Sequence, residues 1–235
     1  MNVEELVTRM RGRLKAAADP AYRRSIQRFF TEPLDAYGVP APQIRKLAAE
    51  AFAVTKSWPA AQRNRFCILL WKSGKNEEGA LAVYLYHRFR KNCGTCEFHL
   101  FEKWIDRFVT NWGHCDGVSC WLVAASLDTE PALVEELAAW TDSANRWKRR
   151  AAAVSLVPSG RKGRHTAVIL DVADRLLADP DEMVQKGVGW LLKETYPNQP
   201  REVVRFLRAA KARAPRLVLR YAAEKMTPRD RAVVL

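Results

Sequence analysis

Residues 111–117 read NWGHCDG, with Trp112 and Asp116 four positions apart. On a helix that spacing puts the indole and the carboxylate on one face. Such a pair suits chemistry in which positive charge develops. Breaking a glycosidic bond builds that charge on the sugar, in a transition state resembling an oxocarbenium ion. A carboxylate beside the sugar stabilises the charge and orients an attacking water. An aromatic face attracts a cation or polarised C–H groups. A nucleobase alkylated on a ring nitrogen is already cationic and leaves without a general acid, so a single Asp suffices where sugar hydrolases commonly use two carboxylates. The plainer alternative is an acid near a helix N-terminus, where the macrodipole favours it, beside a tryptophan that belongs to the core.

The elements that would carry these residues are helices nearly throughout. Segments such as EELVTRMRGRLKAA, APQIRKLAAEAFAVT, CEFHLFEKWIDRFVT and HTAVILDVADRLLAD place apolar residues at intervals of three and four. Pro20, Pro180, Pro200, Pro215 and Pro228 mark helix starts, because proline suits the first turn and disfavours helix just before it. No strand-like alternation interrupts the pattern. About a dozen short helices joined by short turns are expected.

A repeat runs through them. NRWKRRAAAVSL (145–156), DEMVQKGVGWLL (181–192) and APRLVLRYAAEK (214–225) each carry a basic residue ahead of small or apolar positions: Arg150, Lys186 and Arg220, 36 and 34 residues apart. A further 34 residues before Arg150 stands Asp116. A period near 35 built from helix pairs is the pattern of an α-solenoid. Equal phase predicts that Asp116, Arg150, Lys186 and Arg220 line one surface, expected to be concave. Trp190, four residues after Lys186, is expected to flank the acid together with Trp112. Arg149, Arg146, Lys193 and the loop PSGRKGR (158–164) add positive charge to the same region. A row of cations suits phosphates, whose neutralisation releases counterions and binds without reading sequence.

Composition agrees. Of 235 residues, 48% are hydrophobic and 28% charged, the profile of a soluble globular chain. The net charge of +13 is concentrated late: residues 1–140 hold 19 basic and 16 acidic residues, residues 141–235 hold 20 and 10. That asymmetry points to a polyanionic partner, nucleic acid being the usual one. The amphipathic N-terminus MNVEELVTRMRGRLKAA has no apolar signal-peptide core, and no stretch is long enough to span a bilayer, so a cytoplasmic protein without membrane contact is expected. Five cysteines without a secretion signal argue against a disulfide framework. Cys93 and Cys96 form a CxxC flanked by His87 and His99; this spacing can seat a metal, but NCGTC also has the small residues of a helix–helix turn, and no metal or other cofactor is assigned. Trp58, Trp71, Trp104, Trp121 and Trp140 are expected to pack in the core. His114 is either a second acid–base group or a surface or capping residue.

Five segments, in order, resemble the AlkD family of bacterial DNA alkylation repair glycosylases: YGVPAPQIRKLA (37–48), VTNWGHCDGV (109–118), RWKRRAAAVSL (146–156), VQKGVGWLLKE (184–194) and RLVLRYAAEKM. The resemblance implies one HEAT-like repeat domain over residues 1–235, curved into a superhelix with a basic concave groove. It implies that Trp112, Asp116 and Trp190 match the family's catalytic cluster and that Arg150 matches an arginine contacting phosphate. The implied substrate is double-stranded DNA carrying cationic N3- or N7-alkylpurines, cleaved by a monomeric, monofunctional glycosylase. Lys186, Lys193, Arg220, Arg149 and Arg45 complete the expected DNA-binding set. Pro40 and Ala41 depart from the family, whose best-known members carry a polar pair there. Two other readings stay open: a non-catalytic DNA-binding solenoid, and a scaffold for protein partners.

Overall fold

The computed structural model describes residues 1–235. Every regular element is helical, and two compact units divide the chain, Met1–Lys91 and Asn92–Leu235. The first contains α1 (Val3–Ala16), α2 (Pro20–Gln27), α3 (Ala41–Thr55), α4 (Ala60–Trp71) and α5 (Asn76–His87). The second opens with α6 (Thr95–Phe108), α7 (Trp112–Gly117), α8 (Ala124–Thr129), α9 (Leu133–Ala138), α10 (Arg146–Val154) and α11 (Val157–Gly160). It continues with α12 (Thr166–Arg175), α13 (Glu182–Thr195), α14 (Pro200–Ala210), α15 (Arg216–Ala222) and α16 (Pro228–Val234). The helices outnumber the expected dozen because α7, α8, α9 and α11 are pieces of four to six residues, too short to show a period of their own. Pro20, Pro200 and Pro228 begin helices as expected. Pro180 does not, since Asp181 intervenes as the cap of α13 and accepts from Met183 N. No helix is long and apolar enough to cross a membrane.

In the first unit a buried carboxylate organises the segment leading into α3. Glu77 of α5 is fully buried and accepts three backbone N–H groups, from Tyr37 at 2.9 Å, Gly38 at 2.7 Å and Val39 at 3.0 Å. Glu78, also fully buried, accepts from Arg11 Nε and the Tyr37 hydroxyl, both at 2.8 Å. Gly38 has φ of +90°, and a Cβ there would lie 2.2 Å from the Asp19 carbonyl oxygen. These contacts account for the glycine in YGVPAP and fix the start of the helix that bears Arg45. Glu77→Gln keeps one acceptor oxygen but leaves a buried N–H without its partner. It should cost about 1–3 kcal/mol, read as a lower urea midpoint with unchanged slope.

The second unit stacks its helices in two rows. α7, α10, α13 and α15 pack successively against one another, and α9, α12, α14 and α16 follow one another behind them. The 34-to-36-residue period is the step between neighbours of the first row. α13 is squeezed between α10 and α15, and its two glycines allow this. A Cβ at Gly187 would meet Arg150 Cγ and Val154 Cγ2 at 3.3 Å, and one at Gly189 would meet Tyr221 Cβ at 2.5 Å. Each glycine costs about 1 kcal/mol of helix propensity, and close packing of the row is what that cost permits. α10 is closed in likewise, with Ala151, Ala152 and Ala153 all fully buried.

α7 runs into α8 through a π-helical turn, Val118–Val123. The wider turn absorbs an extra residue, so buried positions fall at His114, Val118, Leu122 and Ser126, four apart each time. Trp121 drops off that stripe and is 37% exposed. Its expected place in the core is therefore corrected. Trp71, Trp104 and Trp140 are buried as expected, and Trp58 is half-buried.

Candidate active site

Asn111 starts the site. Its extended backbone caps α7, and its side-chain oxygen accepts from His114 N at 2.9 Å. That orientation turns the Asn111 amide nitrogen toward His114 Nδ1, 3.3 Å away. An amide N–H donates only to an unprotonated ring nitrogen, so the proton of neutral His114 sits on Nε2. His114 is buried. The cap is Asn111 and not His114, which sits buried at the third position of the helix that Asn111 caps, so it is neither a surface nor a capping residue. Trp112 and Asp116 follow on one face of α7, both partly exposed.

Arg150 of α10 grips Asp116 with two parallel bonds, Nε to Oδ1 at 2.8 Å and Nη2 to Oδ2 at 2.9 Å. Its Nη1 donates to the Met183 carbonyl at the start of α13. Gly187, one turn on, makes room for the arginine stem. Met183, Gly187 and Trp190 are spaced by four and three and share a face of α13. Asp116, Arg150 and the α13 face bearing Trp190 thus form a chain across three helices. Arg150 is only 5% exposed, while 19% of the Asp116 side chain remains open. Burial pushes the Asp116 carboxyl above the usual Asp range, and Arg150, pulling the other way, offsets only part of it. Cys115, beside Asp116, donates its thiol to the Trp147 carbonyl at 3.3 Å. Burial pushes that thiol up to about 12, so it is no thiolate nucleophile near neutral pH.

The expected phosphate row is altered by these contacts. Arg150 does not project from the surface as a free cation, because its fork is turned inward onto Asp116 and Met183. Arg149 is likewise engaged: Nε and Nη2 hold Asp179 at 2.6 and 3.1 Å, and Nη1 bonds the Ser143 and Ala144 carbonyls. Its place is a brace between the start of α10 and the turn before α13. Lys193 pairs with Glu224 at 2.8 Å, and Lys186 pairs loosely with Glu182 at 3.5 Å in an exposed contact. Arg220 is exposed and forms no ion pair. Arg45, in the first unit, is exposed with its guanidinium 5.7 Å from the Tyr84 ring centre. The loop 158–164 is also held within the protein, Arg161 by Glu194 and Lys162 with Arg164 by Asp128.

A family model described as DNA alkylation repair enzyme matches residues 10–226. The chain belongs to this family. The solved structure of a predicted DNA alkylation repair enzyme from Enterococcus faecalis is similar in fold, with a TM-score of 0.81 at 15% identity. The match covers 90% of this chain and 97% of that one. No curated protein matches the chain.

In the CxxC, Cys93 is fully buried and Cys96 is exposed. His99 lies instead with Glu102 and Glu136, their ligand atoms within 4.8 Å of one another. Lys148 Nζ, 2.7 Å from Glu102 and 3.0 Å from Asp106, already supplies a cation to that group.

Proposed function

We propose that the chain is a monofunctional DNA glycosylase that hydrolyses the N-glycosidic bond of cationic N3- or N7-alkylpurines in duplex DNA. The observation that carries this reading is the Asp116 carboxylate, mostly buried, gripped by Arg150 and still partly open on the helix face it shares with Trp112. A carboxylate oxygen has two lone-pair sites. Arg150 takes one on each oxygen, and the remaining sites are available to a sugar or a water. Arg150 also holds the group ionised against burial and fixes its aim, which is the preorganisation that electrostatic stabilisation requires.

The steps follow from charge. The alkylated base departs as a neutral purine, so no proton donor is needed on its side. The deoxyribose left behind carries the developing positive charge. Asp116 faces that charge and accepts a proton from the attacking water, while Trp112 and Trp190 present aromatic faces to the sugar. No amine takes part in the attack, so the strand stays intact at the abasic site. Membership of a DNA alkylation repair family supports the substrate class. The test is incubation of the protein with N-methylated duplex DNA, with chromatography of what is released. Free 3-methyladenine or 7-methylguanine is expected, with strand breaks appearing only after alkali.

A second reading has an observation of its own. A bidentate buried ion pair is also how structural clamps are built. On that reading the chain recognises damaged or branched DNA without cutting it, and salt-sensitive binding without any released base would favour it.

A further inference from the structure

We propose that α14 carries a second nucleic-acid contact face, which takes the phosphodiester backbone of DNA on the row of helices behind the Asp116 row. It stands independently of the base-release chemistry, since it concerns binding of undamaged backbone. Between Asn92 and Leu235 most Lys and Arg side chains are spent inside the protein, on carboxylates or carbonyls. The uncommitted ones gather at the end of the chain. Residues 201–235 hold ten basic residues against three acidic ones. Arg201, Arg205 and Arg208 are all exposed and none forms an ion pair.

These three stand on one face of α14 by their spacing of four and three, opposite the buried stripe of Val203, Leu207 and Ala210. They line an open cleft of 710 Å³ together with Pro200, Val204, Ala209 and Asp230. Asp230 is the one carboxylate in the lining, and it accepts from the Tyr196 hydroxyl at 2.7 Å rather than from an arginine. Exposed arginines left unneutralised on a helix repel one another, which an incoming polyanion relieves. From Arg201 to Arg208 the helix rises about 10 Å. That is about three steps of 3.4 Å along one strand, the axial span of four successive phosphates. A single phosphate would engage one guanidinium fork, whereas a line of three forks matches a chain of phosphates. The occupant is therefore a nucleic-acid backbone.

The salt dependence of binding to a long undamaged duplex tests this. Each phosphate contact contributes about 0.9 to the slope of log K against log salt. Arg205→Gln/Arg208→Gln should flatten the slope by about 1.8. Arg175→Gln/Arg213→Gln removes the same charge from cations already paired with Asp171 and Asp174, and should leave the slope as it is. All four side chains are exposed, and circular dichroism checks that both variants fold. An unchanged slope in the first variant overturns the proposal, and so does an equal drop in both, since net charge alone would then explain it. Loss of binding to anionic lipid vesicles with the duplex slope unchanged would assign the face to a lipid surface and also overturn it. Because the duplex is undamaged, failure here and failure of base release on methylated DNA are separate results.

Discussion

Asp116→Asn should slow base release from methylated duplex DNA by at least about a hundredfold, while binding of undamaged duplex stays close to wild type. The substitution keeps size and shape and removes the negative charge that faces the sugar. It also places an amide N–H₂ against an arginine fork that has only donors, so the variant must be checked for folding by its urea midpoint. Loss of release in a folded, DNA-binding variant assigns Asp116 to the chemistry. Full activity would remove Asp116 from the mechanism and leave its pair with Arg150 a structural contact only. A pH profile of the wild type gives a second handle. The carboxylate is the active form, and burial raises its pKa from the ordinary 3.8. Activity should therefore be complete at neutral pH and fall as pH drops through a midpoint above 3.8. A midpoint at or below that value would mean that Arg150 outweighs burial.

The helical architecture was legible because each long helix repeats its own apolar spacing, and the period was legible because Arg150, Lys186 and Arg220 repeat in phase. What those in-phase residues do was less legible. Equal phase predicts a shared surface. In a stacked row, equal phase also makes residues of adjacent helices neighbours, with axes about 8–10 Å apart, within reach of an arginine and an aspartate. Asp116 and Arg150, 34 residues apart, meet for that reason. The same step recurs between Arg146 and Asp181 at 35 residues, Arg161 and Glu194 at 33, Lys162 and Asp128 at 34, and Tyr196 and Asp230 at 34. An acid and a base one period apart were thus a signal present in the sequence, and they mark pairs rather than a bare cationic row. The exposure of Trp121 was not accessible in that way, because a π turn leaves no mark in a pattern read with the α period. Nor was the engagement of Arg149, whose partner Asp179 lies in a turn outside any repeat phase.

Arg150→Gln separates the two roles an arginine could have here. Gln cannot span both oxygens of Asp116, and it leaves a buried carboxylate without its counter-charge. Breaking such a pair from one side should cost about 3–5 kcal/mol, seen as a lower urea midpoint. Arg150 lowers the pKa of Asp116, so its removal should raise that pKa further. The acid limb of the pH profile should then move to higher pH, and the rate at saturating DNA should fall more than the affinity. An arginine serving a phosphate would behave differently. Affinity would weaken, the salt slope would flatten by about 0.9, and the acid limb would stay in place. The double variant Asp116→Asn/Arg150→Gln completes the cycle. With both charges gone no buried charge is left unpaired, so its stability should exceed that of Arg150→Gln alone, with a coupling of about 0.5–3 kcal/mol. Its base release should be no slower than that of Asp116→Asn, because an arginine that acts by aiming and charging Asp116 has nothing left to act on once the carboxylate is gone.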